Sequence, residues 1–158
     1  MIMRRLDKEI KDNGAVEEIL HQSELCRLGL VDEGEAYVVP VNYAYQDGVI
    51  YFHSAKDGRK MNIMRRCEAL SFEITYSSQV ISNEVACKWT TRYRSVMGRA
   101  MILFITDVAE KRKALDVIMQ KYGAGNQLVY EDASLAGIVV VALTITRVTG
   151  KQSGDWNE

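Results

Sequence analysis

AYVVPVNYAY (Ala36–Tyr45) and VIYFHSAKDGRK (Val49–Lys60), joined by Gln46-Asp47-Gly48, decide the fold. Both open as strands. In the first, Tyr37, Val39, Val41, Tyr43 and Tyr45 fall on one face at a period of two. Asp47-Gly48 is a tight-hairpin signature, so the second strand, Val49–His53, folds back on the first. Pro40 is the only proline. It has no N–H for a ladder, which calls for a bulge or a free edge there. After His53 come small residues, an Asp-Gly turn and the adjacent cations Arg59 and Lys60, which open a helix read as Arg59–Cys67. Cations at a helix N-terminus oppose its dipole, and a bound anion reverses that sign, so the pair reads as a phosphate seat. The competing reading is a solvated basic first turn.

Working outward, Asp12 caps a short helix carrying Val16, Ile19 and Leu20 on one face. Leu25–Val31 is a strand ended by the turn Asp32-Glu33-Gly34. Downstream, Ala69–Tyr76 alternates as a strand, and Ser77–Glu84 reads as polar loop. Tyr93–Thr106 is a long strand with Gly98 as its bulge or bend. Asp107 caps a helix over Val108–Tyr122, with Leu115, Ile118, Met119 and Tyr122 as its apolar stripe and Gly123 and Gly125 ending it. Gly137–Val148 closes the set, followed by a polar tail containing Trp156. About six strands joined mostly by hairpins predict a mainly β chain: an antiparallel β-barrel with peripheral helices, as one domain over residues 1–158.

Composition narrows the function classes. The chain is 47% hydrophobic and 26% charged with net charge −1, so no overall basic field recruits nucleic acid or an acidic membrane surface. No apolar run approaches the roughly 20 residues of a membrane-spanning helix, and the N-terminus lacks a signal-peptide apolar region. Cys26, Cys67 and Cys87 have no metal-like spacing. An odd count also opposes a disulfide framework, which fits a cytoplasmic protein with reduced thiols. There is no Walker loop, dinucleotide GxGxxG, HExxH or GxSxG motif.

The remaining candidates are His53, read either as a ligand-facing acid–base group or as a half-buried structural histidine, and His21, read as a helix-end residue. Trp89 and Trp156 lie in polar surroundings, where an aromatic can cover a flat ligand, anchor a subunit interface or lid the core. Arg92, Arg94 and Ser95 add donors near Trp89.

In their order, CRLGLVDEGEAYVVPVNYAY, VIYFHSAKDGRK, WTTRYRSVMGRA, EKRKALDVIMQKYG and ITRVTGK resemble the 5-nitroimidazole-resistance (Nim) proteins. That group lies within the pyridoxamine 5′-phosphate oxidase-like flavin-binding split barrels. The resemblance implies a homodimer with FMN, or FAD, in clefts at the subunit interface. It assigns Pro40, Val41 and Asn42 to the isoalloxazine, and His53, Ser54, Arg59 and Lys60 to the ribityl-phosphate side, with His53 facing the pocket as the catalytic candidate. Trp89, Arg94 and Ser95 would approach from the partner subunit, Arg94 being one candidate for a cation near N1, and Trp156 would close over the ring. The implied activity is flavin-dependent reduction of a small oxidised substrate, such as the nitro group of a nitroimidazole. The alternative is a flavin- or haem-binding carrier or redox sensor without turnover, with His21 and His53 the only imidazoles available to haem.

Overall fold

The structure is a computed structural model that describes residues 4–125, 128–154 and 156. Its strands are β1 (Glu9–Ile10), β2 (Leu25–Asp32), β3 (Glu35–Asn42), β4 (Ala44–Gln46), β5 (Val49–Ala55), β6 (Ala69–Ile81), β7 (Thr90–Ile105) and β8 (Ile138–Ser153). Helices are α1 (Asn13–Gln22), α2 (Arg59–Met64), α3 (Val108–Lys121) and α4 (Asp132–Gly137). The strands run β3-β2-β6-β7-β8-β5-β4, with β1 added to β8, and every pairing is antiparallel. The expected mainly β, barrel-like architecture is therefore present.

The two ends of this sheet are consecutive pieces of one chain segment. β3 pairs with β2, and after Tyr43 the chain changes partner and β4 pairs with β5. Tyr43 is fully buried and its hydroxyl donates to the Leu20 carbonyl at 2.8 Å, which anchors the changeover. The partner change leaves a split. Phe52–Ala55 of β5 pair only with β8, and β3 pairs only with β2. Pro40 sits on this outermost strand, opposite Arg27, where a missing N–H costs no ladder bond.

Local signals act where the sequence places them. The Asp12 carboxylate accepts from the Gly14 N–H, and Asp107 from the Glu110 N–H. Glu33, Gly34, Asp47 and Gly48 all have positive φ, as primed hairpin turns require. The main core fills the barrel with Leu28, Ile50, Phe52, Ile74 and Leu143, among others. A second cluster packs Ala114, Leu115 and Ile118 of α3 and Leu135 of α4 over Ala44 and Val140.

Several boundaries differ from expectation. α2 stops at Met64 rather than Cys67, and the Arg65 and Arg66 side chains then bond the Lys56 and Asn62 carbonyls. Ser77–Ile81 is strand rather than loop, because it pairs residue for residue with Thr90–Arg94 past a bulge at Tyr76. Gly98 is not the bulge. It stays in register opposite Phe72 and Val148, and the irregularity follows at Arg99/Ala100. The buried stripe of α3 is Ala114, Leu115 and Ile118, whereas Met119 and Tyr122 are exposed. α4 was not anticipated, and β8 runs on through Thr149–Ser153, where β7 and the short β1 pair with it. Among the described residues, no helix is long and apolar enough to cross a membrane.

Candidate functional site

The cationic pair lies across the split. Gly58, with φ 122, turns the chain into α2 in a conformation that side chains resist. α2 has only six residues and no side-chain cap, so its chemistry rests on its side chains more than on a dipole. Arg59 reaches toward β2 and β3. Its Nε donates to Asp32 Oδ2 at 2.9 Å, and its guanidinium stacks 4.7 Å from the Tyr37 ring centre. Arg66 donates to the other Asp32 oxygen at 2.8 Å. The hydrogen bond from Arg59, joined by that from Arg66, holds the Asp32 carboxyl below the usual carboxylate range.

Lys60 reaches toward β5, its ammonium 5.4 Å from the Phe52 ring centre. Burial pushes this ammonium below its ordinary value. No carboxylate pairs with it among the described residues. Arg59 is thus a tethered cation and Lys60 a half-dehydrated one without a counter-charge. An anion at the split would supply what Lys60 lacks.

The strand residues flank this pair. Pro40 and Asn42 are exposed on β3, whereas Val41 is buried and faces the core. His53 is exposed on β5, opposite Val140 and on the sheet face that carries Tyr51. Ser54 alternates with it and shares the face of Phe52, against which Lys60 lies.

The other candidates lie toward the loop end of the β6–β7 hairpin. Trp156 is held between the guanidinium groups of Arg92 and Arg94, at 4.3 and 4.5 Å from its ring centre. Its indole N–H donates to the Ser153 carbonyl at 3.0 Å, and Tyr76 lies against it at a tilt. Arg94 also bonds Glu18 and Gln152. The Arg92 Nε is buried without a partner among the described residues. Trp89 stands 55% exposed in the hairpin connection and donates to the Asn83 carbonyl. No hydrogen bond, ion pair or ring contact among the described residues joins this group to Arg59, Lys60 or His53 within one chain.

A cavity of about 650 Å³ opens elsewhere, on the outer face of β2, β3, β6, β7 and β8. Val38 and Met97 give it apolar walls, and Arg27, Arg147 and Lys151 line it together with Glu73, to which Arg27 donates. Ser95 is the one sequence candidate that lines it. Its strand rows alternate out of phase with the core, so Arg27 between Cys26 and Leu28 is the signal that could have marked this face.

A family model described as pyridoxamine 5′-phosphate oxidase matches residues 12–152. The chain belongs to this family. Among solved structures of similar fold is a candidate 5-nitroimidazole antibiotic resistance protein from Bacteroides thetaiotaomicron. It is 32% identical, with 91% of this chain and 86% of that one covered and a TM-score of 0.82. The flavocytochrome Anf3 of Azotobacter vinelandii has a TM-score of 0.84 at 18% identity, covering 98% of this chain and 73% of that one. A FAD- and haem-binding protein of Mycobacterium smegmatis also has a TM-score of 0.84 at 18% identity, covering 96% and 76%. No curated protein matches the chain. This family member carries Asp32 and Tyr37 as the supports of Arg59, two residues the sequence reading left to a turn and a strand face.

Proposed function

We propose that this chain binds FMN or FAD through a flavin phosphate at the β3–β5 split. On this reading it acts as a homodimeric, Nim-type flavin-dependent reductase of small oxidised substrates such as nitroimidazoles. One observation carries the proposal: a half-buried lysine ammonium with no carboxylate partner among the described residues, next to an arginine already held in place. Family membership and the likeness to a nitroimidazole-resistance candidate support the cofactor class and the reaction class.

When bound, the flavin supplies the electron-transfer chemistry. The residues of the chain do the rest. Lys60 and the free nitrogens of Arg59 neutralise a phosphate. The edges of β3 and of Phe52–Ala55, left unpaired by the change of strand partner, offer backbone donors and acceptors to a polar ring edge. Asn42 adds a side-chain amide, and Pro40 keeps its stretch of edge free of an N–H. His53 exposes an imidazole beside this edge, where it can hand a proton to a reduced substrate.

Trp89, Arg94, Ser95 and Trp156 belong to the far wall of the cleft, contributed by the second copy. The outer face fits that pairing. Val31, Val38, Met97, Met101 and Leu103 are all exposed on it, an apolar set that a second copy would cover.

The test is an absorption spectrum of purified protein with the released cofactor identified by mass, run beside an Arg59→Ala/Lys60→Ala double variant. Wild type is expected to carry flavin and the double variant to lose it. Equal flavin in both removes the phosphate site. Bound flavin that neither NADH nor NADPH reduces, with any nitro or quinone acceptor, leaves a flavin-binding protein without turnover.

A further inference from the structure

We propose that Asp32 is the positioning residue of the phosphate seat, acting through Arg59. This rests on the reading of the split as a phosphate site. Asp32 lies at the end of β2, far from α2 in sequence, yet each carboxylate oxygen takes one guanidinium. Oδ2 takes the Nε of Arg59, the one nitrogen of that side chain that cannot swing outward. The two terminal nitrogens, each with two protons, stay available to an incoming oxyanion.

Tyr37 completes the constraint by stacking on the same guanidinium. An arginine bonded at Nε and stacked on a ring has lost most of its rotamer freedom before any ligand arrives, so less is lost on binding. Both arginines are more than half exposed, which limits what the pairs add to folding stability, while the Asp32 side chain between them is 17% exposed and so held in one place. A doubly bonded carboxylate at such a place therefore has more consequence for where Arg59 points than for whether the chain folds. Oδ1 meanwhile takes up Arg66, which keeps that second cation from drawing the anion out of register.

The proposal makes a prediction opposite in sign to plain electrostatics. Removing Asp32 raises the local charge by one, which by itself strengthens anion binding. Loss of positioning weakens it.

The experiment titrates FMN and riboflavin, which lacks the phosphate, into apo-protein of wild type, Asp32→Ala, Arg66→Ala and the Arg59→Ala/Lys60→Ala pair. Binding is read by flavin fluorescence, and folding by circular-dichroism melts. Asp32→Ala is expected to weaken FMN on the order of tenfold, through loss of the preorganised arginine, and to leave riboflavin within about twofold. Arg66→Ala, which spares the Asp32–Arg59 bond, is expected to stay near wild type. FMN bound as tightly or more tightly by Asp32→Ala overturns the proposal, and so does an equal loss of FMN and riboflavin. If Asp32→Ala does not fold, Asp32→Asn, which preserves volume, is judged by the same FMN-to-riboflavin ratio. Failure of the underlying reading looks different: the Arg59→Ala/Lys60→Ala pair then binds FMN like wild type.

Discussion

Gly98 and Phe72 are packed so closely across β6 and β7 that a Cβ on Gly98 would lie 2.4 Å from Phe72 Cζ and 2.5 Å from the Arg147 carbonyl oxygen. Glycine is required here for close approach, not for backbone freedom. Phe72 is a core residue and cannot swing away, and a ladder carbonyl cannot retreat without breaking strand pairing. Gly98→Ala should therefore destabilise the fold by about 1–3 kcal/mol. Urea unfolding measures this, and a midpoint equal to wild type would show that the sheet absorbs the methyl freely.

Lys121 gives a pH dependence with a definite sign. Its ammonium lies 3.7 Å from the Tyr43 ring centre and donates to the Ser23 carbonyl. Burial nevertheless pushes its pKa down to about 8. The unfolded chain, with an ordinary value of 10.5, holds its proton to higher pH than the folded one. Folding stability from this group is thus absent below about pH 8, grows as pH rises through the window, and is complete above 10.5. Wild type should gain stability relative to Lys121→Met between pH 7 and pH 10. Thermal melts of both proteins across that range test it, and a constant difference rules it out.

What could be read from the sequence depended on how local each cause was. The Asp47-Gly48 turn and the Asp12 and Asp107 caps act within a few residues, and the structure keeps them, whereas the strand read as Ala36–Tyr45 divides at Tyr43 because its two parts find different partners. Ser77–Ile81 and Thr149–Ser153 are strands because of partners on β7 and β1, not because of their own polar composition. The site shows the same division. Arg59 and Lys60 stood out as adjacent cations after a turn. Asp32 did not, because its bonds to Arg59 and Arg66 span 27 and 34 residues and leave no periodic trace. The outer-face cavity was equally hidden, since its lining is spread over five strands far apart in sequence.

The outer face should control assembly. The register sets Pro40, Arg27, Glu73, Met97 and Thr149 in one row across five strands, with Val38, Gly29, Ser71, Arg99 and Arg147 in the next. Met97 is 57% exposed in its row, so a charge placed there would have to leave water in any pairing of two such faces. Met97→Glu is expected to halve the mass seen by light scattering and to leave the circular-dichroism spectrum unchanged. A dimer that survives this change does not use this face, and a monomeric wild type removes the homodimer from the proposal.

His53 separates binding from turnover. It has no hydrogen-bond partner among the described residues, and it is exposed on the strand next to the split. The phosphate is assigned to Lys60 and Arg59, so His53→Gln should retain flavin at wild-type occupancy. If the imidazole delivers a proton to the reduced substrate, its loss should lower kcat by about 10²–10⁴-fold, the usual contribution of a positioned acid or base. The rate of flavin reduction by the electron donor should stay within a few-fold of wild type, because no proton from His53 enters that half-reaction. Stopped-flow kinetics resolve the two halves. Slowing confined to substrate reduction makes His53 the proton donor. Equal slowing of both halves makes it a structural neighbour of the cofactor, and unchanged kinetics remove it from the mechanism.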